Sequence, residues 1–160
     1  MTETSPRSPQ TFCLAAVDLG SNSFHLNITR VDHDQICPIH TLSERVQLGE
    51  ENDSGALTPA AVGRGLACLK RFKQLLDETG PYPIRVVGTH ALRRAKNRSD
   101  FITPAEALLG TPIEILHGEE EARLIYTGVA QTLSDSQTPH LVIDVGGGST
   151  EFILGCDAKP

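Results

Sequence analysis

The cysteines and histidines of this sequence lack the spacing that marks a metal site or a disulfide framework. The four cysteines are scattered and form no Cys-x-x-Cys pair, and none of the six histidines lies three or four residues from another. We therefore expect free thiols, and we expect neither a zinc site nor a disulfide.

Long apolar runs and an excess of positive charge are also missing. The sequence has no charged and apolar leader, and no apolar run approaches the ~20 residues that span a bilayer. Its 14 basic and 20 acidic residues give a net charge of −6, which argues against a nucleic-acid surface but allows a local cationic pocket for an anionic substrate. We expect a cytoplasmic protein with no nucleic-acid partner and no integral membrane segment.

A glycine-rich stretch near the C-terminus carries the strongest pattern in the chain. An apolar run rich in β-branched side chains begins at Leu141 and contains Asp144 near its end, three glycines follow at 146–148, and residues 151–154 are predicted to form the returning strand. The pattern predicts a hairpin whose glycine turn exposes converging backbone N–H groups, a geometry that binds anions. Asp144 ends the first strand, where a carboxylate suits a divalent cation beside a phosphate.

Nearly the same pattern occurs at residues 14–26. An apolar run is followed by Asp18, then by Gly20 with small polar neighbours, and then by a second run. Two such hairpins facing each other could clamp a polyanion from both sides, with Asp18 and Asp144 sharing a metal ion. A hairpin in which the glycines serve only the turn remains the alternative for either segment alone.

The remaining periodicities predict an α/β fold. We expect a mobile tail over 1–10, antiparallel strands over 12–18, 24–31 and 36–48, and strands over 84–88 and 112–116. A helix is predicted from Thr58 and Pro59 to about Gly80, because apolar residues recur there at helical spacing. A strand entered from that helix implies a parallel crossover. At Pro104 two alternatives stay open: a fresh helix capped by Thr103, or a kinked helix.

Three consecutive glutamates open another predicted helix at Gly118. Carboxylates at this position complement the helix dipole, which accounts for Glu119 and Glu120 as solvated residues. At about 100° per residue, however, Glu121 falls on the apolar face that it shares with Ile125 and Val129. An acidic residue on that face either destabilises the fold because it is buried, or it is a catalytic residue held in place there.

Four segments, in order, resemble the exopolyphosphatase/guanosine pentaphosphate phosphohydrolase family. They are DLGSNSFH at 18–25, GTHALR at 88–93, GEEEAR at 118–123 and DVGGGSTE at 144–151. The resemblance implies an actin-like ATPase (ribonuclease H-like) fold, with a mixed sheet flanked by helices. It further implies a first lobe over 11–117 and only the start of a second lobe over 118–160, so that the second lobe is truncated.

The resemblance also implies roles for individual residues. Glu121, which precedes Ala-Arg, is the expected catalytic residue that activates water, and Mg²⁺ is expected on Asp18 and Asp144 with Glu151 as a secondary ligand. Arg45 could also reach the substrate. The expected phosphate-binding residues are Gly20, Ser21, Asn22, Ser23, Arg93, Gly146, Gly147, Gly148 and Ser149.

The activity implied by the resemblance is removal of a terminal phosphate. The substrate is linear polyphosphate or guanosine pentaphosphate, and polyphosphate is favoured because no segment looks built to recognise a nucleobase. The resemblance also implies that a homodimer is possible for full-length members of the family. An actin-like sugar or acetate kinase would also need an adenosine-binding loop and an acceptor site, which the sequence does not display. A phosphate-binding fragment without turnover is the non-enzymatic alternative.

Overall fold

A computed structural model describes residues 11–32, 35–50, 55–80, 82–133 and 138–157. The predicted mobile tail over 1–10 lies outside these residues. The elements, in chain order, are β1 (Phe12–Leu19), β2 (Ser23–Asp32), β3 (Gln35–Arg45), α1 (Pro59–Thr79), β4 (Ile84–Gly88), α2 (His90–Arg94), α3 (Ser99–Leu109), β5 (Ile113–Ile115), α4 (Gly118–Ala130), β6 (His140–Val145) and β7 (Thr150–Gly155).

Five strands form one mixed sheet in the order β3-β2-β1-β4-β5. Strands β1, β2 and β3 are antiparallel neighbours, whereas β4 is parallel to both β1 and β5. The predicted antiparallel opening and the parallel crossover through α1 are therefore confirmed, and with them the mixed α/β class. Because β1 and β4 are parallel, Leu19 lies beside Gly88, so the segments that follow these strands emerge at the same edge.

Helix α1 begins where its sequence predicts. The Thr58 hydroxyl accepts a hydrogen bond from the Ala61 N–H over 3.1 Å, and Pro59 occupies the first helical position. The face that packs most deeply is centred on small residues. Leu69 and Phe72 are fully buried, and the other buried positions of α1 are Ala61, Gly65 and Cys68.

Helix α3 runs through Pro104 without interruption. It begins at Ser99, so Thr103 lies inside it, and the alternative of a fresh helix at Thr103 is wrong. Proline lacks the N–H that would bond the Asp100 carbonyl one turn earlier. Both residues are exposed, so water can satisfy that carbonyl, while Phe101 and Ala105 on the opposite face are buried.

The two glycines of α1 are expected to respond to alanine in opposite directions. A Cβ on Gly65 would lie 2.6 Å from Cε2 of the buried Phe101 ring, whereas one on Gly63 would meet nothing within 4 Å. We expect Gly65→Ala to destabilise the fold by about 1–3 kcal/mol through overpacking, and Gly63→Ala to stabilise it by up to about 1 kcal/mol through helix propensity. Urea unfolding of both variants measures this, and equal effects would contradict the α1–α3 packing.

Strands β6 and β7 form a separate antiparallel hairpin that packs on α4. The inner face carries Glu151 and Ile153, which are 8% and 6% exposed. Tyr126 of α4 is fully buried, and its hydroxyl donates to the Asp157 carbonyl oxygen over 3.1 Å. The outer face presents exposed apolar side chains from Leu141, Ile143, Val145, Phe152 and Leu154. None of the helices in the described ranges is long and apolar enough to cross a membrane.

Candidate active site

The loop between β1 and β2 is a tight turn braced by the segment that leaves β3. A Cβ on Gly20 would lie 2.8 Å from the Ser23 carbonyl oxygen, so this turn requires glycine. The Asn22 carbonyl oxygen accepts from the N–H groups of Val46 (2.9 Å) and Gln47 (2.8 Å). These bonds fix the first loop and also end β3 at Arg45, short of the predicted boundary at 48.

The loop between β6 and β7 closes in a similar way. Asp144 and Glu151 face each other across the hairpin, and the turn between these strands contains the three glycines. The Gly146 N–H donates to the Ser149 carbonyl oxygen over 3.0 Å. The predicted strand, glycine turn and returning strand are therefore present.

The two glycine loops touch each other. A Cβ on Gly147 would lie 2.7 Å from Cβ and 3.1 Å from the backbone nitrogen of Asn22. A Cβ on Gly148 would lie 2.9 Å from the Ser21 hydroxyl and 2.5 Å from Nδ1 of His90. The structure thus brings together the two segments that the sequence repeats, and only glycine permits so close an approach.

A cleft of about 300 Å³ lies at the base of these loops. Carboxylates from three elements line it: Asp18 from β1, Asp144 from β6 and Glu121 from the first turn of α4. The rest of the lining consists of Val87, Thr89, Leu116, Leu124 and Ile125. Glu121 and Ile125 share this cleft, as the helical periodicity predicts.

The electrostatics of the cleft are those of crowded, partly dehydrated carboxylates. Burial raises the pKa of Glu121, the hydrogen bond from Arg93 opposes this rise, and the nearby charges of Glu151 and Asp18 add to it. Burial likewise raises the pKa of Asp18, with His25 lowering it and Asp144 raising it. The cleft therefore concentrates negative charge, which a bound cation would relieve.

Two carboxylate oxygens in this region have no partner within the described residues. Asp18 Oδ1 and Glu151 Oε2 are buried and accept no hydrogen bond there. A buried acceptor without a partner is costly, so these atoms fit a site that receives a cation or its water ligands.

Within the described part of the chain, however, no group of three or more His, Cys, Asp or Glu side chains is arranged so that it could hold a metal ion by itself. Mg²⁺ commonly uses only one or two protein carboxylates together with water and substrate phosphates. One or two of the carboxylates of Asp18, Asp144 and Glu151, completed by water and substrate phosphates, would therefore fit Mg²⁺.

Arg93 lies beside Glu121. Its Nη1 donates to Glu121 Oε2 over 3.0 Å and to the Leu116 carbonyl oxygen over 2.7 Å. The family resemblance implies that Arg93 binds phosphate, and in the structure its side chain donates to the expected catalytic glutamate and to the backbone just before α4.

The neighbouring charged residues lie outside the cleft. Glu120 pairs with Arg123 over 2.8 Å at the exposed start of α4, and Glu119 is also exposed. Arg45 is exposed at the end of β3, where it pairs in register with Ser23 next to the first loop.

Thr89 and His90 are the site residues to which sequence reasoning gives no role. Thr89 lines the cleft and is 8% exposed, and His90 lies against Gly148. Their position in the sequence could have identified them as site residues. They directly follow a predicted parallel strand, and α/β folds bind ligands at the edge of the sheet where such strands end.

Comparison with known proteins gives a consistent result. Residues 27–160 match the model of the Ppx/GppA phosphatase family. A Ppx/GppA enzyme of Aquifex aeolicus is 31% identical with a TM-score of 0.84, over 94% of this chain and 50% of that one. An exopolyphosphatase from Cytophaga hutchinsonii is 33% identical with a TM-score of 0.86, over 91% and 47%.

The chain therefore spans about half the length of these solved relatives. A weaker likeness, 13% identical with a TM-score of 0.50, links 93% of this chain with 36% of a nucleoside triphosphate hydrolase from Neospora caninum. That likeness concerns the fold alone.

Proposed function

This chain belongs to the Ppx/GppA phosphatase family, and from that premise we propose that it hydrolyses the terminal phosphoanhydride bond of inorganic polyphosphate and releases orthophosphate. The observation that carries the proposal is the meeting of two glycine loops above a cleft that contains Glu121, Asp18 and Asp144. Residues 11–117 then form the first lobe, and residues 118–160 begin the second.

The reaction needs a positioned water, an in-line geometry and neutralisation of phosphoryl charge, with little covalent work for the protein. Glu121 orients the attacking water and accepts its proton, because its carboxylate lines the cleft and burial raises its pKa. Backbone N–H groups of the two loops, 20–23 and 146–149, bind the terminal phosphate, except for that of Gly146, which donates to the Ser149 carbonyl oxygen.

Asp18 and Asp144 would hold Mg²⁺, with Glu151 as a further candidate ligand. Support comes from the unpartnered buried oxygens of Asp18 and Glu151 and from the crowding of negative charge around them. When bound, Mg²⁺ supplies positive charge that offsets the charge of the phosphate chain.

Guanosine pentaphosphate is the second candidate substrate, and one observation favours it. A further cleft of about 300 Å³ adjoins the loop contact, and none of its lining residues carries a positive charge: Ser21, Asn22, Gln47, Gly49, Glu50 and Gly147. An uncharged sugar fits such a cleft more readily than further phosphate units do, because phosphates would find no cation among these lining residues, and the Glu50 carboxylate is already paired with Arg64 over 2.7 Å.

The test is orthophosphate release by the purified 160-residue protein from long-chain polyphosphate and from guanosine pentaphosphate. We expect release in the presence of Mg²⁺, and its loss on addition of EDTA with recovery on excess Mg²⁺. Release that is indifferent to chelation would contradict the metal assignment. Phosphate binding without release would instead support the alternative of a binding fragment.

A further inference from the structure

Arg93 reaches the cleft through a single nitrogen that serves two acceptors. Nη1 donates to the Leu116 carbonyl oxygen over 2.7 Å and to Glu121 Oε2 over 3.0 Å. The Arg93 and Glu121 side chains are only 24% and 12% exposed. Hydrogen bonds between charged groups strengthen where water is excluded, so this contact holds Glu121 more firmly than a surface ion pair would.

The contacts of Arg93 connect the end of β4 with the start of α4. The Arg93 N–H donates to the Thr89 carbonyl oxygen over 2.9 Å, directly after β4. Leu116 lies between β5 and α4, and its own N–H donates to the Gly88 carbonyl oxygen over 3.0 Å. Arg93 therefore fixes both the backbone from which α4 begins and the carboxylate on its first turn.

We propose that Arg93 is a positioning residue, which affects turnover by orienting the Glu121 carboxylate and is not the primary ligand of the bound phosphate. This inference rests on the proposed function. The competing role is direct phosphate binding by Nε and Nη2, which make no hydrogen bond to the described residues. The two roles differ in one respect: a positioning effect requires Glu121, and a phosphate contact does not.

A double-mutant cycle separates the two roles. We would measure kcat and KM for orthophosphate release by the wild type, Arg93→Ala, Glu121→Gln and the double variant. In the wild-type background we expect Arg93→Ala to lower kcat by about 10- to 100-fold with KM changed less than about twofold. In the Glu121→Gln background the same change should lower kcat by less than about twofold, because residues that act as a unit are not additive.

Arg93→Lys provides the rescue. A lysine ammonium carries three donors on one nitrogen and can serve both acceptors, but it cannot reproduce a planar two-nitrogen contact with a phosphate. We therefore expect Arg93→Lys to keep kcat within about fivefold of the wild type. Arg85→Ala is the matched control. The Arg85 side chain pairs with that of Glu114 over 2.8 Å, and both side chains are exposed and lie outside the cleft.

The positioning role would be contradicted if the two substitutions lowered kcat additively in the double variant. It would also be contradicted if Arg93→Ala raised KM at constant kcat, or if Arg93→Lys were as slow as Arg93→Ala. Calorimetric titration with inorganic phosphate gives a test that needs no turnover. An Arg93→Ala variant that binds phosphate as the wild type does supports positioning, and one that loses binding contradicts it. A wild type that neither binds nor releases phosphate would contradict the proposed function itself, and this inference with it.

Discussion

Glu121→Gln is expected to reduce orthophosphate release from polyphosphate by at least ~100-fold. A glutamine keeps the size of the side chain, and its oxygen can still accept the hydrogen bond from Arg93 Nη1. It cannot accept a proton from water, and a positioned general base commonly contributes about 10²- to 10⁴-fold to a rate. The measurement is kcat for phosphate release at saturating substrate.

The pH dependence should follow the direction of the pKa shift. Burial is the main cause that raises the pKa of Glu121, with Arg93 opposing it. The base works only when deprotonated, so activity should rise with pH through the raised pKa of this carboxyl group. Glu120→Gln is the control: it removes a carboxylate from the adjacent, exposed position that pairs with Arg123, and it should leave both kcat and the pH profile unchanged.

Stability should move in the opposite direction from activity. The pKa of Glu121 is higher in the folded than in the unfolded chain, so the folded state binds the proton more tightly. The carboxyl group therefore favours folding at low pH, and it loses this contribution as pH rises through the raised pKa. At pH 7 the charged group is a cost that Glu121→Gln removes. Urea unfolding at pH 7 should show that Glu121→Gln is at least as stable as the wild type. Near-normal turnover by this variant would contradict the catalytic role of Glu121.

Helical periodicity was sufficient to single out Glu121. The angle of about 100° per residue separates it from Glu119 and Glu120, and Glu121 does line the cleft together with Ile125. The strand and turn pattern was equally informative, because Asp18 and Asp144 each lie one residue before the end of a strand that leads into a glycine loop. Such features are local, since each depends on residues within about one turn or one hairpin.

Contacts between segments that are distant in the chain could not be predicted from such local patterns. Arg93 and Glu121 are 28 positions apart, and their hydrogen bond depends on how α2 and α4 meet at the sheet edge. The deep packing of Gly65 follows from the approach of the Phe101 ring, which the apolar spacing of α1 does not encode. The effect of Pro104 on the helix could not be predicted from the sequence. The destabilisation that a proline causes depends on whether the carbonyl it leaves without a hydrogen bond is exposed to water, which is set by the tertiary structure.

Gly147→Ala is expected to impair phosphate binding and turnover by about 100-fold while the fold persists, because misplacement of binding groups by about 1 Å can cost that much. The new Cβ would lie 2.7 Å from Asn22 Cβ and 3.1 Å from the Asn22 backbone nitrogen. Asn22 cannot withdraw, because its carbonyl oxygen holds the N–H groups of Val46 and Gln47. The loops must therefore separate, and their N–H groups no longer converge on one phosphate.

Gly128→Ala is the matched control for this prediction. Gly128 lies on α4, and a Cβ there would meet nothing within 4 Å, so the same chemical change introduces no clash. We expect Gly128→Ala to bind inorganic phosphate like the wild type and to unfold at a slightly higher temperature, because alanine favours a helix. Gly147→Ala should unfold close to the wild-type temperature, because Gly147 is exposed at a loop tip, yet it should lose phosphate binding by calorimetry. If it bound phosphate normally, the close approach of the two loops would not be required for anion binding, which would contradict the clamp.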